Sequence, residues 1–438
     1  MSEMRWLWSR LTGNYWFFPT LFAVGATALA FGMLALDQAG FAELLNGQDL
    51  IVPARPDSAS TMLSLIASSM IGVAATVFSI TIAAVAYASG SYGPRLLTNF
   101  MQDRGNQLSL ATFIGTFVYA LVVLRSVRAA DEATTSAQNA AATALPGFVP
   151  QLSLLVAFGL MALSVGVLVY FLNHIPDSIR INTVLRGIGQ ALLDEIAELH
   201  PRLGGGEEGR DTRSGAPVRA RRAGYIQFID FDDLAQAARK HGSCLAMEVR
   251  TGDFIHAGMV LARVVDGPGD DAIADAVRHS LTIGSARTPA QDPQFLLDEL
   301  VEIGLRALSP GINDPFTAIT ALHWVGAATA DLAQRDLRKV VAEEAPEDRS
   351  VIPLADDFAH YLARGFGVMR SAVATSRPAA LVMLDSLRNA AGAIDDEGRT
   401  GLLQREGDRL LEQARLELEG PDLQEVEARH ALFALALR

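Results

Sequence analysis

The feature that most constrains this chain is a series of four long apolar segments that carry no charged side chain. They lie at about residues 17–36, 62–88, 105–124 and 150–172. A helix needs about 20 predominantly apolar residues to cross the hydrocarbon core of a bilayer. The sequence therefore predicts four transmembrane helices in a mostly α integral membrane protein, with the lipid bilayer as its surroundings.

Charge is distributed just as unevenly along the chain. Residues 1–173 contain 15 charged side chains and residues 174–438 contain 70, and the two parts carry net charges of −1 and −12. We therefore expect a transmembrane domain over residues 1–175, followed by a water-soluble α+β region. Because a chain with a net charge of −13 repels phosphate backbones, we expect no nucleic acid among its partners.

Arginines near the ends of the spans predict the orientation in the membrane. Four spans place both termini on the same side, and arginine is enriched in cytoplasmic loops. Six arginines fall on the terminal side and three on the other. They are Arg5, Arg10, Arg95, Arg104, Arg180 and Arg186 against Arg55, Arg125 and Arg128. We therefore expect both termini and the soluble region in the cytoplasm.

The soluble region divides into three parts by its residue pattern. Residues 176–223 combine an amphipathic helix with a flexible linker that contains three consecutive glycines. Residues 224–266 form short runs of alternating apolar residues, which are typical of strands, so we expect a small β module. Residues 267–438 have apolar side chains at helical spacing, which predicts a helical cytoplasmic domain.

The second span differs from the others because small or hydroxyl-bearing side chains recur along it every three or four residues. One interpretation is close packing between helices, which small residues permit. The other is the water-facing wall of a pore assembled from several copies of the chain. The pore-lining candidates are Ser68, Gly72, Thr76, Ser79 and Ala83. No carboxylate falls within the four predicted spans, so the sequence shows no buried proton relay.

Two polar strings in the soluble region are candidates for binding or catalysis. The first runs over residues 287–292 and the second over residues 309–317. The candidate residues are Arg287, Asp292, Asn313, Asp314 and His323. A structural interpretation is that Asp314 caps a helix whose first residue is Pro315. A functional one is that the helix N-terminus and Arg287 bind an anionic ligand, or that Asp292 and His323 act as an acid–base pair.

Other chemistries find no support in the sequence. Cys244 is the only cysteine, and the eight histidines include no pair spaced four residues apart, so the motifs of zinc and redox-active dithiol sites are absent. There is also no glycine-rich phosphate loop, nucleophile elbow or dinucleotide fingerprint. We therefore expect no cofactor, no metal and no catalytic residue, and the sequence leans away from an enzyme.

Five strings of the chain resemble a known family. They are Thr76–Ile82, Ser91–Gln107, Thr112–Arg125, Arg287–Asp292 and Ala307–Ala318. These strings are similar to domain-of-unknown-function family 2254, a family of predicted bacterial membrane proteins, and the likeness extends over about residues 14–416. The resemblance implies a multi-pass protein of the bacterial inner (plasma) membrane with a cytoplasmic domain. It brings no established activity.

Three functional hypotheses follow. The leading one is a homo-oligomeric channel or transport-like protein that passes a small ion and has a cytoplasmic regulatory domain. The alternative is a membrane-tethered sensor or scaffold that binds a small anion through its cytoplasmic domain. The third is a membrane-bound enzyme.

Overall fold

The chain forms two compact units, Met1–Arg180 and Ile181–Arg438, and is mostly helical. A computed structural model describes residues 14–41, 55–93, 103–128, 148–200, 202, 214–289, 291–337, 350–354, 357–394 and 396–437. Arg5, Arg10, Arg95 and most of the predicted linker lie outside the described residues. Each unit is described by itself.

The first unit contains four helices that are long and apolar enough to cross a membrane. They are α1 (Phe17–Gln38), α2 (Pro56–Tyr92), α3 (Arg104–Leu124) and α4 (Gln151–Ser178). The four predicted spans are therefore confirmed as apolar helices. The second helix is longer than its predicted span, because it begins with Pro56 at its first position and ends before Gly93, whose φ is +133°.

The third helix is the centre of this unit. In the most apolar 18-residue stretch of α3, 56% of the residues are buried. In the corresponding stretches of the other three helices, 17–28% are buried. It packs against α1, α2 and α4. Small residues permit this approach: a Cβ on Gly115 would lie 3.4 Å from the Cβ of Phe22. In the middle of the apolar region the Thr116 and Ser164 hydroxyls are hydrogen-bonded at 3.0 Å.

A buried carboxylate joins the end of α1 to the start of α4. The first helix continues two residues past the sequence-predicted apolar run and includes Asp37, which is 9% exposed. Its carboxylate accepts hydrogen bonds from the backbone N–H of Leu152 at 2.9 Å and from the N–H and hydroxyl of Ser153 at 3.0 and 2.6 Å. Asp37 thus satisfies the free N–H groups that every helix N-terminus presents.

A second polar contact joins the other end of α4 to the start of α3. Asp103 caps α3 by accepting from the Gly105 N–H at 2.7 Å, and it pairs with the His174 Nε2 at 2.8 Å. A Cβ on Gly105 would lie 2.6 Å from that nitrogen, so a glycine is required at this position. Both ends of α4 are therefore fixed by acidic side chains from neighbouring elements.

The second unit begins with the amphipathic helix α5 (Ile181–Leu199) and then builds two small sheets. Their strands are β1 (Ala216–Arg219), β2 (Gly224–Ile229), β3 (Cys244–Met247), β4 (Phe254–Ile255), β5 (Val260–Asp266), β6 (Leu281–Gly284) and β7 (Val351–Ile352). The strand orders are β1-β5-β3-β7 and β4-β2-β6. The pairing of β3 with β7 is parallel, and the other pairings are antiparallel.

The sheets extend beyond residues 224–266, the range in which the sequence predicts strands, because β1, β6 and β7 pair with strands inside it. Two helices, α6 (Phe231–His241) and α7 (Asp271–His279), pack on them. Their shared core includes Ile226, Leu234, Leu245 and Ile273, all fully buried.

The rest of the described chain is mainly helical apart from β7. Its elements are α8 (Pro293–Ala307), α9 (Pro315–Leu332), α10 (Phe358–Leu362), a π-helical turn (Ala363–Gly367), α11 (Val368–Ala374), α12 (Arg377–Ala391), α13 (Glu397–Glu417) and α14 (Gly420–Ala436). The helix α9 is central and packs against α5, α8 and α12. Its buried face is rich in alanine, and Gly189 of α5 leaves room for Trp324.

We predict that replacing Asp37→Ala lowers the free energy of unfolding by about 2 kcal/mol, because three hydrogen bonds to a buried carboxylate are lost. Asp37→Asn keeps an acceptor and should lose less. The measurement is the apparent melting temperature of the full-length protein in detergent. Asp57→Ala is the matched control, since Asp57 is an exposed acidic residue in the first turn of α2. Equal melting temperatures for Asp37→Ala and the control would contradict the role of Asp37.

Candidate functional site

The small-residue stripe of the second span lies on the outside of its helix bundle. Ser68, Gly72, Thr76, Ser79 and Ala83 are all exposed in the single chain. The residues of α2 that pack inward are Leu63, Ile66, Ala67, Met70, Ala74, Val77, Thr81, Val85 and Ala88. Because successive helical residues are rotated by about 100°, these two sets lie on opposite faces. Packing among the described residues of one chain therefore does not account for the stripe.

Large apolar side chains border the stripe on both sides. Ile71, Phe78 and Ile82 flank it along one side, and Ile80 and Tyr87 along the other, all of them exposed. Apart from its own helix backbone, no described part of the chain lies within 4 Å of the position that a Cβ on Gly72 would take. The outer face of α2 is thus a shallow polar strip between two apolar borders.

The hydroxyl groups of the stripe retain acceptor capacity. The Thr76 hydroxyl donates to the Gly72 carbonyl at 3.0 Å, and the Ser79 hydroxyl donates to the Ala75 carbonyl at 2.9 Å. Each donor is therefore satisfied within the helix, while the oxygen keeps lone pairs. Such oxygens can accept hydrogen bonds from water or contact a cation.

In the second unit, Arg287 is at the centre of a buried ion-pair network. Its side chain is 11% exposed and donates to Asp292 from Nε at 3.0 Å and from Nη2 at 2.6 Å. Its Nη1 donates to Asp298 at 2.5 Å. The guanidinium also lies over the ring of Phe295, 5.7 Å from its centroid. The structure thus brings together Arg287 and Asp292, two of the candidate residues, and adds Asp298.

A second arginine completes this network. Arg364, in the π-helical turn, donates from Nε and Nη2 to the two oxygens of Asp298, both at 2.6 Å. Burial alone would raise the pKa of Asp298, but the Arg364 and Arg287 guanidiniums hold that pKa below its usual value. The bidentate geometry fixes the π-helical turn against α8.

Asp292 is buried more deeply, with 1% of its side chain exposed. Its burial raises its pKa, and the charge of Arg287 opposes that shift only in part. The turn at Gly252 covers this pair: Gly252 has a φ of +92°, and a Cβ there would lie 2.2 Å from the Asp292 Oδ2. Glycine is required at this position for both reasons.

The second polar string has a structural role. Asp314 caps α9 by accepting from the Thr317 N–H at 3.2 Å and from the Thr317 hydroxyl at 2.6 Å. Asn313 takes a left-handed backbone conformation, with a φ of +49°, and His323 is exposed. Within the described part of the chain, no hydrogen bond or ion pair joins Arg287 or Asp292 to any of these three residues. Of the five candidates, Arg287 and Asp292 are thus bonded to each other, and Asp314 serves as a helix cap.

Sequence reasoning missed two members of the Arg287 network, Asp298 and Arg364, and also Glu195, whose charge is repelled by that of Asp292. Burial raises the pKa of Glu195, on α5, to about 7, and the negative charges of Glu198 and Asp292 add to the shift. The sequence offered one signal for Asp298, because this carboxylate lies among the apolar residues of the segment that forms α8. The partners Arg364 and Glu195 are too distant in sequence for spacing to indicate them.

Comparison with known proteins gives the family. The family described as "Predicted membrane protein (DUF2254)" matches residues 12–389. The chain belongs to this family. The resemblance inferred from the sequence strings is thus confirmed, and the family's description agrees with the four apolar helices.

Two curated relatives in this comparison are an uncharacterized protein of Mycobacterium bovis and an uncharacterized protein of Mycobacterium tuberculosis. Each is 30% identical to this chain over 338 residues, which are 75% of this chain and 62% of the relative. The chain therefore spans less than two thirds of the length of these relatives. No solved structure gives a significant match.

The network predicts a pH-dependent stability through Glu195. The ordinary pKa of a glutamate is 4.5, and that of Glu195 in the folded protein is about 7. Between these pH values the folded protein holds a proton that the unfolded protein releases. The free energy of unfolding therefore falls as the pH rises through this window. Glu195→Gln should remove this loss and stabilise the protein by about 2 kcal/mol at pH 8, after allowance for solvent screening.

Thermal denaturation of the full-length protein at pH 5 and pH 8 measures this effect. The variant and the wild type should melt at similar temperatures at pH 5 and differ at pH 8. Asp194→Asn is the control, since Asp194 is an exposed carboxylate on the same helix. A Glu195→Gln variant with the wild-type pH dependence would contradict the prediction.

Proposed function

We propose that this protein is a homo-oligomeric, channel-like protein of the bacterial inner membrane. In this proposal the second spans of several copies surround a water-accessible path for a small ion. One observation carries the proposal: the strip of Ser68, Gly72, Thr76, Ser79 and Ala83 is exposed on the face of α2 opposite the one that packs.

Contact with lipid tails is unfavourable for the hydroxyl groups of this stripe. Hydroxyl groups that face hydrocarbon gain no further hydrogen bonds, and polar groups in a membrane generally face protein or water. A second copy of the chain or a water-filled path would provide hydrogen-bonding partners for these hydroxyl groups. A ring of copies provides both the neighbouring chain and the path. The bordering side chains, such as Phe78 and Ile80, would then pack between neighbouring copies and exclude lipid from the path.

The soluble unit is assigned a regulatory role in this proposal. The distribution of arginines favours both termini, and with them this acidic unit, on the cytoplasmic side. Its packed helices and sheets would respond to a cytoplasmic signal and alter the arrangement of the spans.

The two other hypotheses gain less support. In the sensor hypothesis, an anion bound to Arg287 would have to compete with Asp292 and Asp298, because these carboxylates already neutralise that guanidinium. An enzyme that uses Asp292 and His323 needs both groups in one cleft, but Asp292 is buried and His323 is exposed on a different element.

The proposal predicts ion flux into liposomes that contain the purified full-length protein, read with anion- and cation-sensitive dyes in parallel. The double variant Thr76→Leu, Ser79→Leu should reduce the flux to that of empty liposomes, because two apolar side chains would replace hydroxyls on the path. Thr20→Leu is the matched control, since Thr20 is an exposed threonine of α1 with the same type of hydrogen bond to the preceding turn.

The control variant should keep the wild-type flux. If the double variant has the same flux as the wild type, the proposal that α2 lines the path is wrong. A well-folded wild type without any flux would remove the channel function itself.

A further inference from the structure

A cleft of about 350 Å³ opens at the edge of the sheets, away from the Arg287 network. The segment between β1 and β2 forms one wall, and the last turns of α7 form the other. Leu261 of β5 and Ile283 of β6 also line it. The volume is that of a small-molecule site, which typically measures about 300–1,000 Å³.

Arg278 is the fixed cation of this cleft. Its side chain is 20% exposed. Its Nε donates to the Arg219 carbonyl at 2.9 Å and its Nη1 donates to Asp275 at 2.6 Å. These two bonds hold the guanidinium on the cleft wall. They leave the Nη2 group of Arg278 as a donor for a ligand.

Two more arginines line the same cleft. Arg221 pairs with Asp275 at 3.1 Å, but both side chains are well exposed, so water screens this pair. Arg222 is exposed, and no side chain in the described part of the chain bonds to its guanidinium. The cleft therefore offers guanidinium groups that the protein itself does not fully engage.

The charge balance of the cleft is opposite to that of the whole chain. Three arginines and one carboxylate, Asp275, line the cleft, a formal charge of about +2 without His279, whereas the chain carries −13. Arg287 presents the contrasting case, because two carboxylates neutralise it. An uncompensated positive cleft in an acidic protein concentrates anions locally.

The ligand chemistry follows from this lining. Guanidinium groups in a fixed fork match the oxygens of a phosphate, and they bind it through paired hydrogen bonds. Leu261 is 1% exposed and forms an apolar floor together with Ile283, which suits a compact apolar or aromatic body. We propose that this cleft binds a phosphate group attached to a small organic body, with Arg278 and Arg222 as the main contacts.

The phosphate could belong to a soluble ester or to a lipid headgroup, and one experiment separates these sources. The full-length protein is placed in nanodiscs of phosphatidylcholine, and binding of phenyl phosphate is measured by calorimetry. The titration is repeated in nanodiscs that contain phosphatidylglycerol. If phenyl phosphate binds with equal affinity in both kinds of nanodisc, the cleft is assigned to a soluble phosphate ester. If its affinity is lower in the nanodiscs that contain phosphatidylglycerol, the cleft is assigned to a lipid headgroup.

Variants test the residues. Arg222→Gln should weaken phenyl phosphate binding about tenfold, the effect of losing one charged hydrogen bond. The melting temperature should not change, because no described side chain bonds to the Arg222 guanidinium. Arg278→Lys keeps the charge but loses the fork geometry, and it should also weaken binding. Arg409→Gln is the matched control, since Arg409 is an exposed arginine of α13 outside the cleft.

Two results would overturn the proposal. One is the absence of phenyl phosphate binding in phosphatidylcholine nanodiscs. The other is equal affinity of the wild type, Arg222→Gln and Arg409→Gln. The inference is independent of the channel proposal, because it is measured by binding and not by flux.

Discussion

The membrane unit depends on the burial of its third helix. Inside a bilayer, backbone groups must be satisfied within the protein, so the spans are helices and their arrangement is decided by side-chain packing. Because α3 contacts each of the other spans, each of them turns one face toward it. Asp37 and the Asp103–His174 pair then fix the two ends of α4. Because the inward face of α2 takes part in this packing, the residues of the stripe, such as Thr76 and Ser79, are left on the outside.

Arginine has two different roles in the second unit. Arg287 and Arg364 are held by Asp292 and Asp298 in a network that ties α8 to the π-helical turn. Buried ion pairs of this kind fix an arrangement, and removing one partner leaves an uncompensated charge. In the cleft beside α7 the arginines outnumber the carboxylate, so their charge remains available to a ligand. The same residue type thus has a structural role in one place and a proposed binding role in the other.

Much of the membrane unit could be predicted from the sequence, because charge-free apolar runs directly indicate spans. The residues of the α2 stripe could also be predicted, but not the direction in which they face, since that depends on which face α3 covers. The Arg287–Asp292 pair is local and was predictable as a cluster. Its partner Arg364 and the pairing of Leu245 with Val351 join distant segments, and local periodicity carries no signal for such contacts. Strand β7 was missed for the same reason.

The most direct test of the central claim is water access to the α2 stripe. Thr76→Cys is introduced in a Cys244→Ser background, which removes the natural cysteine, and the protein in liposomes is treated with a membrane-impermeant, positively charged thiol reagent. Leu163→Cys provides the lipid-facing reference, because Leu163 is 55% exposed on α4. The account predicts that the cysteine at position 76 is modified and the one at position 163 is not. A cysteine at position 76 that resists the reagent, while it forms disulfide-linked dimers, would show tight helix packing and contradict the account.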